Sequence, residues 1–402
     1  MSYDLAVFGT RSLSLGEVAD VIRDAEGLDV GEHDPGDSGL VAVRGKQRLY
    51  CFTVDGPFQV EPEDVPEEIT AVLLGATHMY TIMVEGSAAA AVPHAVRFAR
   101  RLARAVEGAV QDQQTGEVWA RGASRKAVRP ARAALIDIVQ IHWYALYRDM
   151  PADIAARYLA LSRRYLPEAL PRRFGSFEPF QRKLEADGDQ AFIQAQKAET
   201  SLLFFTGQPP CFGGSLAAGQ TTAYSGPVSA CGLNMDRSAL RDRRWRGALK
   251  RLLAGFAVES GSFFASAEVV RNLDWTGRGL GYGPAAERTT FVAPRGQWQG
   301  LPPYPVWWSW YSPMYAGLVA PHLPAKGAES TANGLFHSWG DDPLDRDQLK
   351  HALPRTWTPF RRRQPATWIP EELLARPELT DPRLHNPPVQ PAAEMPVILR
   401  TP

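Results

Sequence analysis

A chain of 402 residues, 45% hydrophobic and 22% charged, is long enough for two or three packed domains and too apolar for a disordered polypeptide. Its 44 Lys and Arg balance 44 Asp and Glu, so it lacks the overall basic charge of a general nucleic-acid binder. Three scattered cysteines, Cys51, Cys211 and Cys231, without CxxC spacing, argue against a disulfide framework or a cysteine zinc site and favour a reducing compartment.

In chain order, Tyr3, Leu5 and Val7 alternate with Asp4 and Ala6 as a strand does. Ser14 stands three residues before Glu17, the spacing of a capping box, and Leu15, Val18, Val21 and Ile22 mark the helix face that follows. LVAVRG (40–45) and RLYCFTVDG (48–56) read as strands around a tight connection. The acidic VEPEDVPEE (60–68) reads as a connector or helix start, and HMYTIMVEG (78–86) as a further strand. Pro93 suits the first turn of a helix whose buried face is Val96, Ala99, Leu102, Ala103 and Val106. Two short strands about a Thr-Gly turn (108–119) complete a small acidic α/β domain over residues 1–120.

Residues 121–131 are Arg-rich and weakly patterned, which suits a linker. A second domain, 132–350, opens with ALIDIVQIHWYALY (134–147), expected to be a central strand. Pro151 starts a helix carrying Ile154, Tyr158, Leu161 and Tyr165. SLLFFTG (201–207), PVSACGLNMD (227–236) and GSFFASAEVVRN (261–272) read as strands. Asp236 is the expected cap of a helix with Trp245, Leu249, Leu252, Leu253 and Phe256 on one side and arginines on the other. Residues 351–402 are proline-rich and weakly periodic, an extended tail. The expected fold class is therefore α/β (α+β): two sandwich-like domains with mixed or antiparallel sheets flanked by helices, plus that tail.

The motifs that carry chemistry are sparse. There is no GxxxxGK[ST] or GxSxG, and the glycine-dense GRGLGYG (277–283) lacks the strand-to-helix context of a phosphate loop, so it reads as a flexible loop. Cys211, close to the glycine pair of QPPCFGGS, with His337 and Asp341, is the set to test for an enzyme with a scattered active site. A structural cysteine and a solvated, helix-capping loop at SWGDDPLDRD are the plainer readings. The histidines form no HxH or HExxH pair, so no metal site or cofactor is implied. Eight of the eleven tryptophans fall between Trp275 and Trp368, including Trp307, Trp308 and Trp310, a density that suits a core layer, interface anchors or a stacking platform. Residues 1–90 carry a net charge of −11 and the remainder +11, an asymmetry that can steer a partner or simply reflect two solvated surfaces. The N-terminus has no signal-peptide pattern and no apolar run reaches membrane-spanning length, so a cytoplasmic protein is expected.

LPRRFGSFEPFQ (170–181), SFFASAEV (262–269) and LPPYPVWWSWYSPMYAGL (301–318) resemble bacterial immunity proteins of polymorphic-toxin systems, immunity family 52 and relatives, over about residues 130–325. FARRLARAVEGAVQDQQTGEVW (98–119) resembles an α/β module that often precedes such domains. The resemblance implies a non-catalytic protein that binds and neutralises a cognate toxin in the cytoplasm, and it brings no catalytic residues. Toxins that cut nucleic acid are commonly basic, so Glu61, Glu63, Asp64, Glu67 and Glu68 are the candidate partner contacts, with Trp307, Trp308 and Trp310 beside them. Nucleic acid itself is the lesser partner hypothesis, resting on the arginines between Arg97 and Arg132 and on Arg361, Arg362 and Arg363.

Overall fold

A computed structural model describes residues 2–32, 39–120, 123–125, 134–221, 226–275, 279–289, 291–298, 300–302, 305–352, 360–362 and 377–379. The chain forms two compact units, Met1–Ala133 and Ala134–Pro402. Each is built on an antiparallel sheet with helices, so the α/β expectation holds. Among the described residues every strand pairing is antiparallel.

The first unit contains β1 (Tyr3–Gly9), α1 (Leu15–Arg23), β2 (Leu28–Val30), β3 (Gly39–Arg44), β4 (Leu49–Gln59), α2 (Glu67–Thr70), β5 (His78–Val84), α3 (Val92–Ala105), β6 (Ala109–Asp112), β7 (Val118–Ala120) and β8 (Ala123–Arg125). Its sheet runs β2-β3-β4-β5-β1-β6-β7-β8. Side chains alternate across a strand, so Leu5 and Val7 of β1 pack under α1 and α3. Ala6 and Phe8 face the other way, onto Val60, Val65 and Ile69 of the acidic connector. The capping box forms as the sequence spacing requires: Glu17 donates its backbone N–H to the Ser14 hydroxyl, and its carboxylate accepts from the Ser14 backbone. On α3 the buried stripe is Ala95, Phe98, Ala99, Leu102 and Ala103, shifted so that Phe98 rather than Val96 is central. Phe98 stacks on Phe52, ring centroids 4.9 Å apart.

The second unit contains β9 (Ala134–Leu146), α4 (Ile154–Tyr165), β10 (Arg173–Gly175), β11 (Arg182–Lys183), α5 (Leu184–Ala198), β12 (Leu203–Thr206), β13 (Cys211–Leu216), β14 (Val228–Asp236), α6 (Arg243–Glu259), β15 (Ser262–Trp275), β16 (Leu280–Gly281), β17 (Trp308–Tyr311), α7 (Pro313–Val319), β18 (Ala328–Thr331), β19 (Gly334–Ser338) and α8 (Arg346–Ala352). The main path of its sheet is β11-β10-β12-β13-β14-β9-β15-β17-β19-β18, with β16 paired to the end of β15. The strand expected to be central, β9, lies between β14 and β15. One face of this sheet packs on α4, α5 and α6 through Val139, Ile141 and Trp143 of β9. The opposite face carries Tyr144, Phe264 and Tyr311 beneath Val292, Trp298 and Tyr315.

Asp236 does not cap α6. Its carboxylate accepts from the Ser238 backbone and hydroxyl, closing a turn at the end of β14. Asp242 caps the helix instead, accepting from the Arg244 backbone N–H at 2.8 Å. A carboxylate must sit directly before the first helical residue to reach that orphan donor, and the intervening turn moves the helix start beyond the reach of Asp236. Most of the proline-rich tail lies outside the described residues, as does most of the Arg-rich segment 121–131.

Candidate functional site

The strand register of the second unit assembles a polar band from residues far apart in sequence. Directly opposed residues of antiparallel strands share a face. One such row is apolar: Ala230, Tyr144, Phe264, Tyr311 and Leu335. The next row along the strands is Gly232, His142, Ser266, Ser309 and His337. The one after that is Asn234, Gln140 and Glu268. Beyond it the face turns apolar again at Ile138 and Val270. Two polar rows thus cross the middle of a sheet face that is hydrophobic at both ends, and His142, Ser266, Ser309, His337 and Glu268 are all buried.

Burial at these positions costs free energy unless each polar group is paired. Glu268, 5% exposed, is paired: Arg346 donates to its carboxylate through Nε and Nη2 at 2.9 and 2.7 Å, and the Thr289 hydroxyl donates at 3.4 Å. Around it, Arg271 binds Glu287 and Asp347, and Arg237 binds Asp137 and the Gln348 side chain. Asp345 caps α8 by accepting from the backbone of Asp347 and Gln348. These groups fasten α8 and residues 287–289 to the edge of the band.

His142 is different. It is 9% exposed, its ring lies 5.4 Å from that of Phe291, and among the described residues that ring makes no hydrogen bond. Burial pulls its pKa down to about 4, so the imidazole is neutral at pH 7 and carries one donor and one acceptor nitrogen. His337 sits in the same row with its pKa also lowered by burial, against a smaller opposing effect of the Pro324 carbonyl, and its ring meets Trp339 edge-on at 4.9 Å. The Asn234 side-chain oxygen is buried without a partner. Tyr282 directs its hydroxyl at the Gln140 side-chain oxygen, 3.5 Å away. Apart from the paired Glu268, the band is therefore a neutral, hydrogen-bonding floor.

The depressed pKa of His142 has a measurable consequence. In the unfolded chain this side chain takes up a proton near pH 6.5, whereas in the fold it stays neutral until about pH 4. The unfolded state binds more protons in that window, so the stability contributed by neutral His142 is intact above pH 6.5 and lost as pH falls towards 4. Between pH 7 and 4.5, His142→Leu should lose about 2 kcal/mol less stability than the parent chain in denaturant titrations. Equal losses in both would show that His142 ionises freely in the fold.

The residues singled out from sequence fare differently. Cys211 lies on β13, buried in the core beneath the helices, and burial pushes its thiol far above the range in which a thiolate forms. His337 lies on β19, five strand steps away, about 24 Å at ~4.8 Å per step. Asp341 is exposed in the loop after β19. The enzyme arrangement of Cys211, His337 and Asp341 is thus not assembled. Among the described residues no cluster of three or more His, Cys, Asp or Glu could hold a metal ion, and no helix is long and apolar enough to cross a membrane.

Trp307, Trp308 and Trp310, offered by the sequence as partner anchors, are core residues here. Trp307 stacks on Trp308 at 3.8 Å, and their indole N–H groups donate to the Gly340 carbonyl and the Ser338 hydroxyl. With their polar tips satisfied and no more than 4% of either residue exposed, Trp307 and Trp308 pack inside the fold.

The acidic residues lie on the first unit. Val65 and Ile69 are buried against the sheet and pin the connector, leaving Glu67 exposed and Glu61, Glu63, Asp64 and Glu68 half-buried. The Asp64 carboxylate accepts from the Glu61 backbone at 2.9 Å, closing the turn.

The polar band was visible locally only as polar residues two apart inside apolar strands, Gln140 and His142 in VQIHWY and Ser266 and Glu268 in FASAEV. Alternation placed each pair on one face, but nothing local joined the pairs.

No family model matches the chain, and no curated protein matches it in sequence. Among solved structures, the Pseudomonas aeruginosa T6SS protein PA0821 overlaps part of the fold: 14% identity, TM-score 0.40, covering 56% of this chain and 77% of that one.

Proposed function

We propose that this chain is a non-catalytic, cytoplasmic binding protein that neutralises a cognate protein toxin, with the acidic connector of the first unit as its steering surface. The observation that carries the reading is the pinned connector: five carboxylates within residues 61–68, held in a fixed turn by the burial of Val65 and Ile69, inside a segment of net charge −11. A rigid acidic surface of this kind raises the encounter rate with a basic partner without requiring a loop to order on binding. The family resemblance of residues 130–325 points the same way, and no catalytic set is assembled from Cys211, His337 and Asp341.

The test uses the polypeptide encoded beside this one, purified and mixed with the full chain in stopped flow. Neutralising Glu63, Asp64, Glu67 and Glu68 to their amides should slow association about tenfold at low salt and flatten its salt dependence, with little change in dissociation. Asp64→Asn keeps the acceptor that closes the turn, so the fold should survive, as thermal unfolding will report. Unchanged kinetics would remove this surface from the interface.

A further inference from the structure

The polar band contains a notch. Gly232 sits inside β14, between Ser215 of β13 and His142 of β9 in the same cross-strand row. A side chain added there would meet the Ser215 hydroxyl at 3.4 Å and His142 Cδ2 at 3.8 Å, ordinary contacts, so the glycine is not demanded by close packing. Its φ is not in the left-handed region either. A strand-interior glycine with neither reason leaves its backbone open to the approach of another group.

The surroundings specify what that group is. The Asn234 side-chain oxygen, two residues along the strand, is buried without a partner and asks for a donor. The neutral His142 ring, unbonded among the described residues, offers one donor and one acceptor. Glu268, the charged member of the polar rows, is already paired with Arg346. Arg346 is held by Glu268 and Arg288 lies over the Tyr282 ring at the rim, so an ion beside Gly232 and Asn234 would bear most of its desolvation cost, whereas an apolar group would leave Asn234 and His142 unpaired. Two aromatic rings flank the band and keep contact with solvent: Phe291, 38% exposed, against His142, and Tyr282, 45% exposed, beside Gln140. The Arg288 guanidinium lies over the Tyr282 ring, 5.7 Å from its centroid, so a flat ligand would stack on the other face of that ring and on the exposed part of Phe291.

We propose that the Gly232 notch, with Asn234 and His142 as its hydrogen-bonding groups and Phe291 and Tyr282 at its mouth, binds an uncharged planar heterocycle of the nucleobase type. This site lies wholly in the second unit and does not depend on the toxin reading.

The experiment titrates adenosine, guanosine, cytidine and uridine into the full chain, followed by saturation-transfer NMR, with inorganic phosphate as the ionic control. At least one nucleoside should bind with a Kd of about 1 mM or tighter, and phosphate should not compete. Gly232→Val fills the notch with a residue suited to a strand and should weaken that binding at least about tenfold, with an unchanged or higher unfolding temperature. Tyr282→Ala, at the exposed mouth, should weaken it too. The proposal is overturned if no nucleoside binds the parent chain, if Gly232→Val binds as well as the parent, or if phosphate displaces the nucleoside.

Discussion

Arg346→Met should destabilise the second unit by about 3–5 kcal/mol, the cost of taking the cation away from a buried carboxylate. The Glu268 side chain is 6% exposed and Arg346 15%, and two N–H groups of the guanidinium hold the carboxylate. Removing the cation strands the charge on the sheet face, where water replaces little of the lost interaction. Arg346 also donates to the Arg288 carbonyl, so the variant loosens residues 287–289 as well. Glu268→Gln combined with Arg346→Met should recover much of the loss, because a neutral amide is cheaper to bury than a carboxylate. Arg163→Met supplies the contrast: it breaks a two-pronged pair with Asp189, but both partners are nearly half-exposed and the cost should stay below about 1 kcal/mol. Ten of the eleven tryptophans lie in the second unit, so indole fluorescence in a denaturant titration reports its transition. Similar shifts for Arg346→Met and Arg163→Met would show that the Glu268 pair is effectively solvated.

Trp143→Ala should cost a comparable amount, about 3–5 kcal/mol, for a different reason. Trp143 projects from β9 into the core beneath α6, is fully buried, and meets Phe256 edge-on at 5.1 Å. Its indole N–H donates to the Leu253 carbonyl at 2.9 Å, which fixes the helix against the strand. Truncation opens a cavity at the junction of the sheet and its longest helix, where neither rigid element can collapse to fill it. Trp143→Phe keeps most of the volume and should lose only about half as much. Leu135→Ala on the same strand, at an exposed position, should change stability by no more than about 0.5 kcal/mol. If Trp143→Ala proved as mild as Leu135→Ala, the packing of α6 on β9 would be wrong.

Both variants act in the second unit, whereas the proposed toxin contact is confined to the first. Arg346→Met at a temperature where the chain stays folded should therefore leave the association rate with a basic partner unchanged, while the amide variants of the connector should slow it without moving the tryptophan transition. That separation distinguishes a binding defect from an unfolding one.

Local pattern alone determined the elements whose signals lie within a few residues. The Ser14–Glu17 box needs only a three-residue spacing, and it forms. The β-branched and aromatic run at 134–147 is too long and too apolar for any position but the middle of a sheet, and β9 is there. Alternation also fixed that Gln140 shares a face with His142, and Ser266 with Glu268. It did not fix which strands stand side by side. Cys211 looked accessible beside a glycine pair, yet a bulged strand carries it into the core; Asp236 had the right chemistry for a cap, yet the chain turns again before the helix starts. The polar band depends most heavily on tertiary structure, because Gly232, His142, Ser266, Ser309 and His337 come together through four strand registers spanning residues 142–337. Register is chosen by the sum of packing on both faces of the sheet, a long-range quantity, and one residue of slip in any pairing would send that strand's polar residues to the opposite face.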